Sequence, residues 1–221
     1  RDSRNQNTYA SRFRWRMEEF PRNYKRWRSK PILLYESIPK SWPRKEALQF
    51  VMTVTTINRW NYLEKFLATW IDTRNTQHDW TLVIADDGSS DGSLQNIIKY
   101  EIPFTKVVII QNSGKGIATQ TNSLLSYVQR QKFDLMFSAD DDIYFNGPGW
   151  DDAYYDAILK TGFDHLVHFN ENWKEKKHVH HLTKGGIELV SMTDGMSCMG
   201  CFYTITPSIL EKVGGFDEIA F

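Results

Sequence analysis

Four short runs of β-forming residues alternate with segments of helical spacing, and this alternation restricts the fold of the chain more than any other feature. The runs are Phe50 to Thr56, Trp80 to Ala85, Phe104 to Ile110 and Phe133 to Ser138. Each is too short for a buried helix and rich in Val, Ile, Thr and aromatics, so each reads as a buried strand. Between them, Leu63, Phe66, Leu67, Trp70 and Ile71 recur at helical spacing, as do Leu94, Ile97 and Ile98, and then Ile117, Thr121, Leu124, Leu125 and Val128. Strands joined by helices of this length pair in parallel, with the helices covering both faces of one sheet. The expected class is therefore α/β with a mainly parallel central sheet.

Beyond the fourth strand, Asp151 to Leu159 reads as a helix and Leu166 to Phe169 as a strand. His178 to Leu182 and Ile187 to Met192 form a hairpin around Lys184-Gly185-Gly186, followed by a strand over 201–205 and a helix from Pro207 to Val213. Residues 1–45 show no clean periodicity and contain Pro21, Pro31, Pro39 and Pro43, which suggests short helices and a connecting segment. The expected organisation is an N-terminal extension over 1–47 and one domain over 48–221.

The formal net charge is +0, which gives no bulk attraction to nucleic acid, and no nucleic-acid partner is expected. The charges are unevenly placed, because residues 1–30 hold ten Lys/Arg against three Asp/Glu, interleaved with Phe13, Trp15, Phe20, Tyr24 and Trp27. Such an arm suits peripheral contact with an anionic membrane or an acidic partner. It equally suits packing on the main domain with its charges solvated, and Glu18 and Glu19 favour that version. No apolar run approaches the length of a membrane span. The sequence starts at Arg1, so an upstream piece is expected. Only 2 cysteines occur and no Asn-x-Ser/Thr sequon, which favours a reducing compartment, and the expected location is cytoplasmic. Cys198 and Cys201 form a Cys-x-x-Cys that reads better as buried thiols than as half of a zinc site with His178, His180 and His181.

The chemistry-bearing residues cluster where three of the strands end. These clusters are Thr55-Thr56-Ile57-Asn58-Arg59, Asp86-Asp87-Gly88-Ser89-Ser90-Asp91-Gly92 and Asp140-Asp141-Asp142, with Asn112-Ser113-Gly114-Lys115-Gly116 opening the third helix. Open α/β sheets bind their ligands at the carboxyl ends of their strands. Adjacent carboxylates repel one another unless a cation neutralises them, and a hard divalent ion is the natural partner. Glycines at a helix start admit a phosphate, and a carboxylate accepts hydrogen bonds from a base or a ribose. Together the clusters suit a nucleotide diphosphate joined to another group. Gly114-x-Gly116 lacks the third glycine of the dinucleotide fingerprint and Lys115 is not in a Walker A pattern. Asp87-x-Ser89-x-Asp91-Gly92 has Ile98 where a calcium loop needs Glu.

In order and spacing, these three clusters resemble the family 2 glycosyltransferases of the GT-A fold. A fourth match, Gly200-Cys201-Phe202 with Val213-Gly214-Gly215-Phe216-Asp217-Glu218, is similar to that family's acceptor-side segment, and the resemblance covers about residues 49–221. It implies a nucleotide-diphospho-sugar donor (UDP, GDP or dTDP), a glycan or other hydroxyl acceptor, and bound Mn2+ or Mg2+. By position, Thr55, Asn58 and Asp87 would contact the donor, with Asp87 at the base and Asp86 supporting its loop. Asn122 would also lie at the donor, although Thr121 stands where the family usually has Arg. Asp140 and Asp142 fit an Asp-x-Asp metal site, and Asp140 and Asp141 count among the donor-binding residues. Three consecutive aspartates leave the register open by one, so that Asp141 is the alternative ligand.

The resemblance implies transfer of a hexosyl or related sugar with inversion, a carboxylate base deprotonating the acceptor. The family places that base in an acidic pair after the Gly-Gly-Phe-Asp segment. The sequence stops at Phe221 before that point, so the expected catalytic base is unassigned: it either belongs to a C-terminal continuation or is supplied from elsewhere. The alternatives are a non-catalytic module that binds a nucleotide sugar or glycan, and a sugar-nucleotide pyrophosphorylase, which would want a glycine-rich basic loop after the first strand. The histidines of the hairpin read as ordinary exposed residues. Trp150 and Trp173 read as packing residues before sugar-stacking ones.

Overall fold

The computed structural model describes residues 32–39, 43–169, 179–192 and 200–216. The basic arm, Trp173, His178, Cys198, Asp217 and Glu218 lie outside the described residues. Among the described residues, eight strands and five helices follow in the order β1 (Ile32–Ser37), β2 (Gln49–Thr56), α1 (Trp60–Thr73), β3 (Asp79–Asp86), α2 (Ser93–Lys99), β4 (Thr105–Gln111), α3 (Ile117–Val128), β5 (Leu135–Asp140), α4 (Trp150–Thr161), β6 (Val179–Lys184), β7 (Ile187–Met192), β8 (Phe202–Ile205) and α5 (Pro207–Val213).

Six strands form one sheet in the order β1-β4-β3-β2-β5-β8. The inner pairs β4–β3, β3–β2 and β2–β5 are parallel, and β1 and β8 close the two edges antiparallel. This is the expected α/β architecture. Successive strands β2, β3 and β4 step outward in one direction, and β5 then returns to the other side of β2. That reversal is a switch point between β2 and β5, and sheets of this kind take their ligands outside the carboxyl ends of the strands at such a point. Thr55 is level with Asp140, and Thr56 with Asp86, so the polar clusters emerge on one line.

Alternation along the strands divides the core in two. Phe50, Met52, Val54, Trp80, Leu82, Ile84 and Phe137 face α1, α2 and α4, meeting Leu63, Phe66, Leu67, Trp70, Ile97 and Ile158. Val51, Val83, Ala85, Val108, Ile110 and Met136 face α3 and α5, meeting Leu124, Leu125, Val128 and Leu210. Trp70 and Trp80 are fully buried and meet edge to face at 5.4 Å. Trp150 stacks on Phe145 at 4.4 Å, and its indole N–H donates to Thr73 Oγ1 at 3.2 Å, so its ring is a packing element.

Two expectations need correction. The segment read as short helices and a connection contains β1, which pairs with β4 from Ile32↔Gln111 to Ser37↔Val107. The sheet therefore takes in residues upstream of position 48. The strand over Leu166 to Phe169 reduces to a single bridge, Val167↔Tyr203, flanked by backbone bonds between His168 and Phe202 and between Thr204 and Leu166. The hairpin β6–β7 forms as expected and, among the described residues, makes a separate two-stranded sheet. Its turn is pressed against α4: a Cβ on Gly185, at φ +58°, would stand 2.2 Å from the Lys160 carbonyl oxygen.

Candidate active site

The loop after β3 is built around two buried aspartates. Asp86 Oδ1 accepts hydrogen bonds from the Gly88 and Ser89 amides, both at 2.9 Å, which bends the chain back on itself. Gly88 takes φ +92° at this bend, a conformation that favours glycine. Asp86 thus supports its loop, as expected. Asp87 turns to the start of α3 and accepts from the Gly116 amide at Oδ2 (2.8 Å) and from the Lys115 amide at Oδ1 (3.1 Å). A carboxylate there suits the positive end of the helix. It also commits one lone pair on each oxygen of the residue expected at the base.

The loop after β2 is tied to the loop after β3. The Asn58 amide donates to Ser89 Oγ at 2.8 Å, and Asn58 Oδ1 accepts from the Ser90 amide at 2.7 Å. Asn58 adopts φ 52°, a left-handed conformation that Asn tolerates better than most residues. Asp91 accepts from the Ser93 amide and hydroxyl, and from the Trp60 amide at the head of α1, and these bonds lower its carboxyl pKa.

The three aspartates after β5 divide their work. Asp141 is buried, accepts from Thr56 Oγ1 at 2.8 Å and forms an ion pair with Arg59 Nε at 2.9 Å. That Nε–H is not aligned for a hydrogen bond, so charge attraction carries the contact. Burial raises the Asp141 carboxyl, while Thr56 and Arg59 work against the rise. Asp142 is half-exposed and accepts from Arg59 Nη2 at 2.5 Å. The guanidinium also lies over the Tyr62 ring at 4.5 Å.

Asp140 is different. Its amide is fixed by the Cys201 carbonyl at 2.9 Å across the β5–β8 edge, but its carboxylate has no side-chain or backbone partner among the described residues. Although its side chain meets solvent, protein crowding its inner side and the charges of Asp142 and Asp141 push its carboxyl up to about 6. Asp140–142 thus carry more negative charge than Arg59 cancels. Their oxygen donors suit a hard divalent cation, which Asp140 and Asp142 would hold. Among the described residues, no three His, Cys, Asp or Glu side chains are already gathered around a cation position. His180 is exposed, and His181 Nδ1 lies 3.5 Å from Glu188 on the separate hairpin. Cys201 is a free thiol.

The remaining expected residues divide. Thr55 is partly exposed at the end of β2, beside Asp140 in register, with no side-chain partner among the described residues. Asn122 is buried, its Nδ2 donating to the Phe216 carbonyl at 2.9 Å and its Oδ1 accepting from the Phe216 amide at 2.7 Å. Its amide thus ties α3 to the segment after α5. Arg59 was quoted in the sequence reading only as the last residue of the first cluster, with no role of its own; its pairing with Asp141 and Asp142 comes from the fold.

The sequence model of the family described as Glycosyl transferase family 2 matches residues 52–212. An uncharacterised glycosyltransferase of Acanthamoeba polyphaga mimivirus is 27% identical over 135 residues, which is 61% of this chain and 51% of that protein. Among solved structures, residues 1-349 of S. aureus TarS superpose with a TM-score of 0.57 at 19% identity, over 77% of this chain and 51% of that one. The mannosyltransferase PcManGT of Pyrobaculum calidifontis, in complex with GDP-Man and Mn2+, gives a TM-score of 0.57 at 14% identity, over 93% and 54%. The chain spans about half the length of these relatives. The structural likenesses bear on the fold.

Proposed function

The chain belongs to glycosyl transferase family 2 and has the GT-A fold, and on that premise we propose that it transfers a sugar from a nucleotide-diphosphate donor to a hydroxyl acceptor, with the help of a divalent cation. The observation that carries this reading is the side-chain cluster at the carboxyl ends of β2 and β5. There Thr56 and Arg59 hold Asp141 and Asp142 in place, while the Asp140 carboxylate has no side-chain or backbone partner among the described residues.

In this reading the nucleoside lies over the ends of β2 and β3. Thr55 and Asn58 contact it, and Asp87 contributes the lone pairs left after it has taken two amides. Asp140 and Asp142 hold Mn2+ or Mg2+, with Asp141 as the internal anchor of that loop. A bound cation would neutralise charge that builds on the departing diphosphate. Arg59, at 2.5 Å from Asp142, is placed to share that charge once a diphosphate arrives. Transfer proceeds with inversion, assisted by a carboxylate base that is not assigned here. Complexes of TarS with UDP and of PcManGT with GDP-Man and Mn2+ support the donor class.

The test is a thermal-shift panel of UDP-, GDP- and dTDP-sugars with and without Mn2+, followed by donor hydrolysis with the best ligand. A shift that needs both nucleotide and Mn2+, with slow metal-dependent hydrolysis, is the expected result. Metal-dependent binding without any turnover would favour a non-catalytic nucleotide-sugar binder. No shift with any nucleotide would remove the proposal.

A further inference from the structure

Arg59 reaches the aspartates after β5 from a fixed base. Asn58, at φ 52°, turns the chain into α1, and the Arg59 carbonyl accepts the Tyr62 and Leu63 amides at 3.0 and 3.1 Å. The guanidinium then crosses from the β2 side of the switch point to the loop after β5. One end of it is anchored. Nε pairs with buried Asp141, which Thr56 Oγ1 also holds, and the cation lies over the Tyr62 ring. The other end is not. Nη2 meets Asp142, whose side chain is 46% exposed and has no second side-chain partner among the described residues.

Charge makes this outer contact conditional. A divalent ion at Asp140 and Asp142 would meet a like charge held 2.5 Å from one of those carboxylates. Two effects then compete. Arg59 orients Asp142, which favours the ion, and it repels the ion, which opposes it. Orienting one half-exposed carboxylate is a small gain. Repulsion between a double and a single charge this close is larger, and it does not depend on the rotamer of Asp142. Repulsion therefore decides the sign.

We propose that Arg59 is a resident counter-ion of the candidate site, which holds Asp142, weakens cation binding there, and gives way most readily when a nucleotide diphosphate offers the guanidinium another anion. This rests on the reading of the site as one that binds a cation and a nucleotide diphosphate. Since Asp141 and Tyr62 keep their hold, only the Nη2 end has to turn away. Cation and nucleotide thereby favour each other through Arg59, in addition to any direct contact between them, and that coupling is reciprocal.

Calorimetric titration of Mn2+ into the full chain, without nucleotide and at saturating UDP or GDP, tests the proposal. The variants are Arg59→Gln, Arg59→Lys and Lys160→Gln. Lys160 pairs with Asp156 on the surface and its side chain is 50% exposed, so it serves as a control for net charge. An exposed ion pair at the upper end of its usual strength corresponds to about fivefold in affinity. Without nucleotide, Arg59→Gln should therefore bind Mn2+ about fivefold more tightly than wild type. Arg59→Lys keeps the charge and should stay close to wild type, as should Lys160→Gln. The gain in Mn2+ affinity on adding nucleotide should be about fivefold smaller in Arg59→Gln.

Nitrogen NMR of the wild-type arginine side chains carries the test should Arg59→Gln prove too unstable. With Mg2+ as a diamagnetic ion and no nucleotide, rotation of the Arg59 Nη groups should speed up at saturation. Arg74, whose Nη groups donate to Ile71, Pro103 and Thr105, should not respond. Mn2+ binding by Arg59→Gln that is no tighter than in wild type would overturn the counter-ion role and leave the proposed function standing. Arg59 rotation that saturating Mg2+ leaves unchanged would do the same. Equal tightening in Lys160→Gln would overturn it too, as an effect of net charge. A wild type that binds no Mn2+, with or without nucleotide, would instead remove the cation from the proposed function and this inference with it.

Discussion

Arg59→Gln should destabilise the protein, and the loss should depend on pH and on metal. The guanidinium makes two ion pairs, at 2.9 Å to Asp141 and at 2.5 Å to Asp142. Breaking a fully buried pair costs about 3–5 kcal/mol, and here Asp141 is buried while the Arg59 side chain is 39% exposed. That exposure cuts the Asp141 arm to roughly 2 kcal/mol. The Asp142 arm, with 46% of its side chain exposed, adds at most about 1 kcal/mol. A loss of about 2–3 kcal/mol lowers the melting temperature by about 4–12 °C for a chain of this size. The sign with pH follows from Asp141, whose carboxyl is already raised by burial and is held down in part by Arg59. Without Arg59 it rises further above its unfolded value, so the folded state holds that proton more tightly. The deficit should therefore be small near the unfolded carboxyl pKa and grow as pH rises through the folded one. Saturating Mn2+ should narrow the gap, since the cation replaces the missing positive charge. Differential scanning calorimetry between acid and neutral pH, with and without Mn2+, measures all three effects. Equal melting of wild type and variant at neutral pH, or a deficit that Mn2+ leaves untouched, would refute the reasoning.

Three further outcomes follow from the same structure. Because the Asp140 carboxyl is pushed up to about 6, Mn2+ affinity measured by calorimetry should weaken as pH falls through that value. Without metal, the group's contribution has the opposite sense: stability falls as pH rises from the ordinary carboxylate range toward 6. Asp140→Asn, tested by chemical denaturation, should flatten this slope. Gly185→Ala places a Cβ 2.2 Å from the Lys160 carbonyl at φ +58° and should cost about 2 kcal/mol or more, read as a lower melting temperature with nucleotide binding retained. Thr56→Val removes the hydroxyl that donates to buried Asp141 and should cost about 1–3 kcal/mol by chemical denaturation.

The parallel core was legible because buried strands have a local signature. Phe50, Met52 and Val54 on one face and Val51 on the other form a run that is apolar but for Thr53, whose buried hydroxyl donates to the Phe137 carbonyl, as suits burial on both faces. Strand β1 lacked that signature. Ile32–Ser37 sits among prolines, and Leu33 and Leu34, adjacent along the strand, are both exposed, so its identity comes from pairing with β4 and not from its own pattern. The same division runs through the site. The three carboxylates and their place at a strand end were visible in sequence, whereas the partner of each was not. Nothing local to Asp87 shows that its oxygens take the Lys115 and Gly116 amides, or local to Asn122 that it serves Phe216. Those contacts join residues distant in sequence, and the fold alone brings them together. The register left open among the aspartates gains a physical argument: Asp141 is buried against Thr56 and Arg59, while Asp140 and Asp142 retain contact with solvent.

The central claim is that Asp140 and Asp142 hold the cation that binds the donor's diphosphate. Isothermal titration of UDP and GDP in the presence of Mn2+ tests it most directly, comparing Asp140→Ala and Asp142→Ala with Asp156→Ala. Asp156 lies on α4, pairs with Lys160 on the surface and is 48% exposed, which makes it a carboxylate control whose loss should leave the fold intact. The account predicts metal-dependent nucleotide binding in wild type and Asp156→Ala, and its loss in the other two variants. Equal binding by all three variants would contradict it.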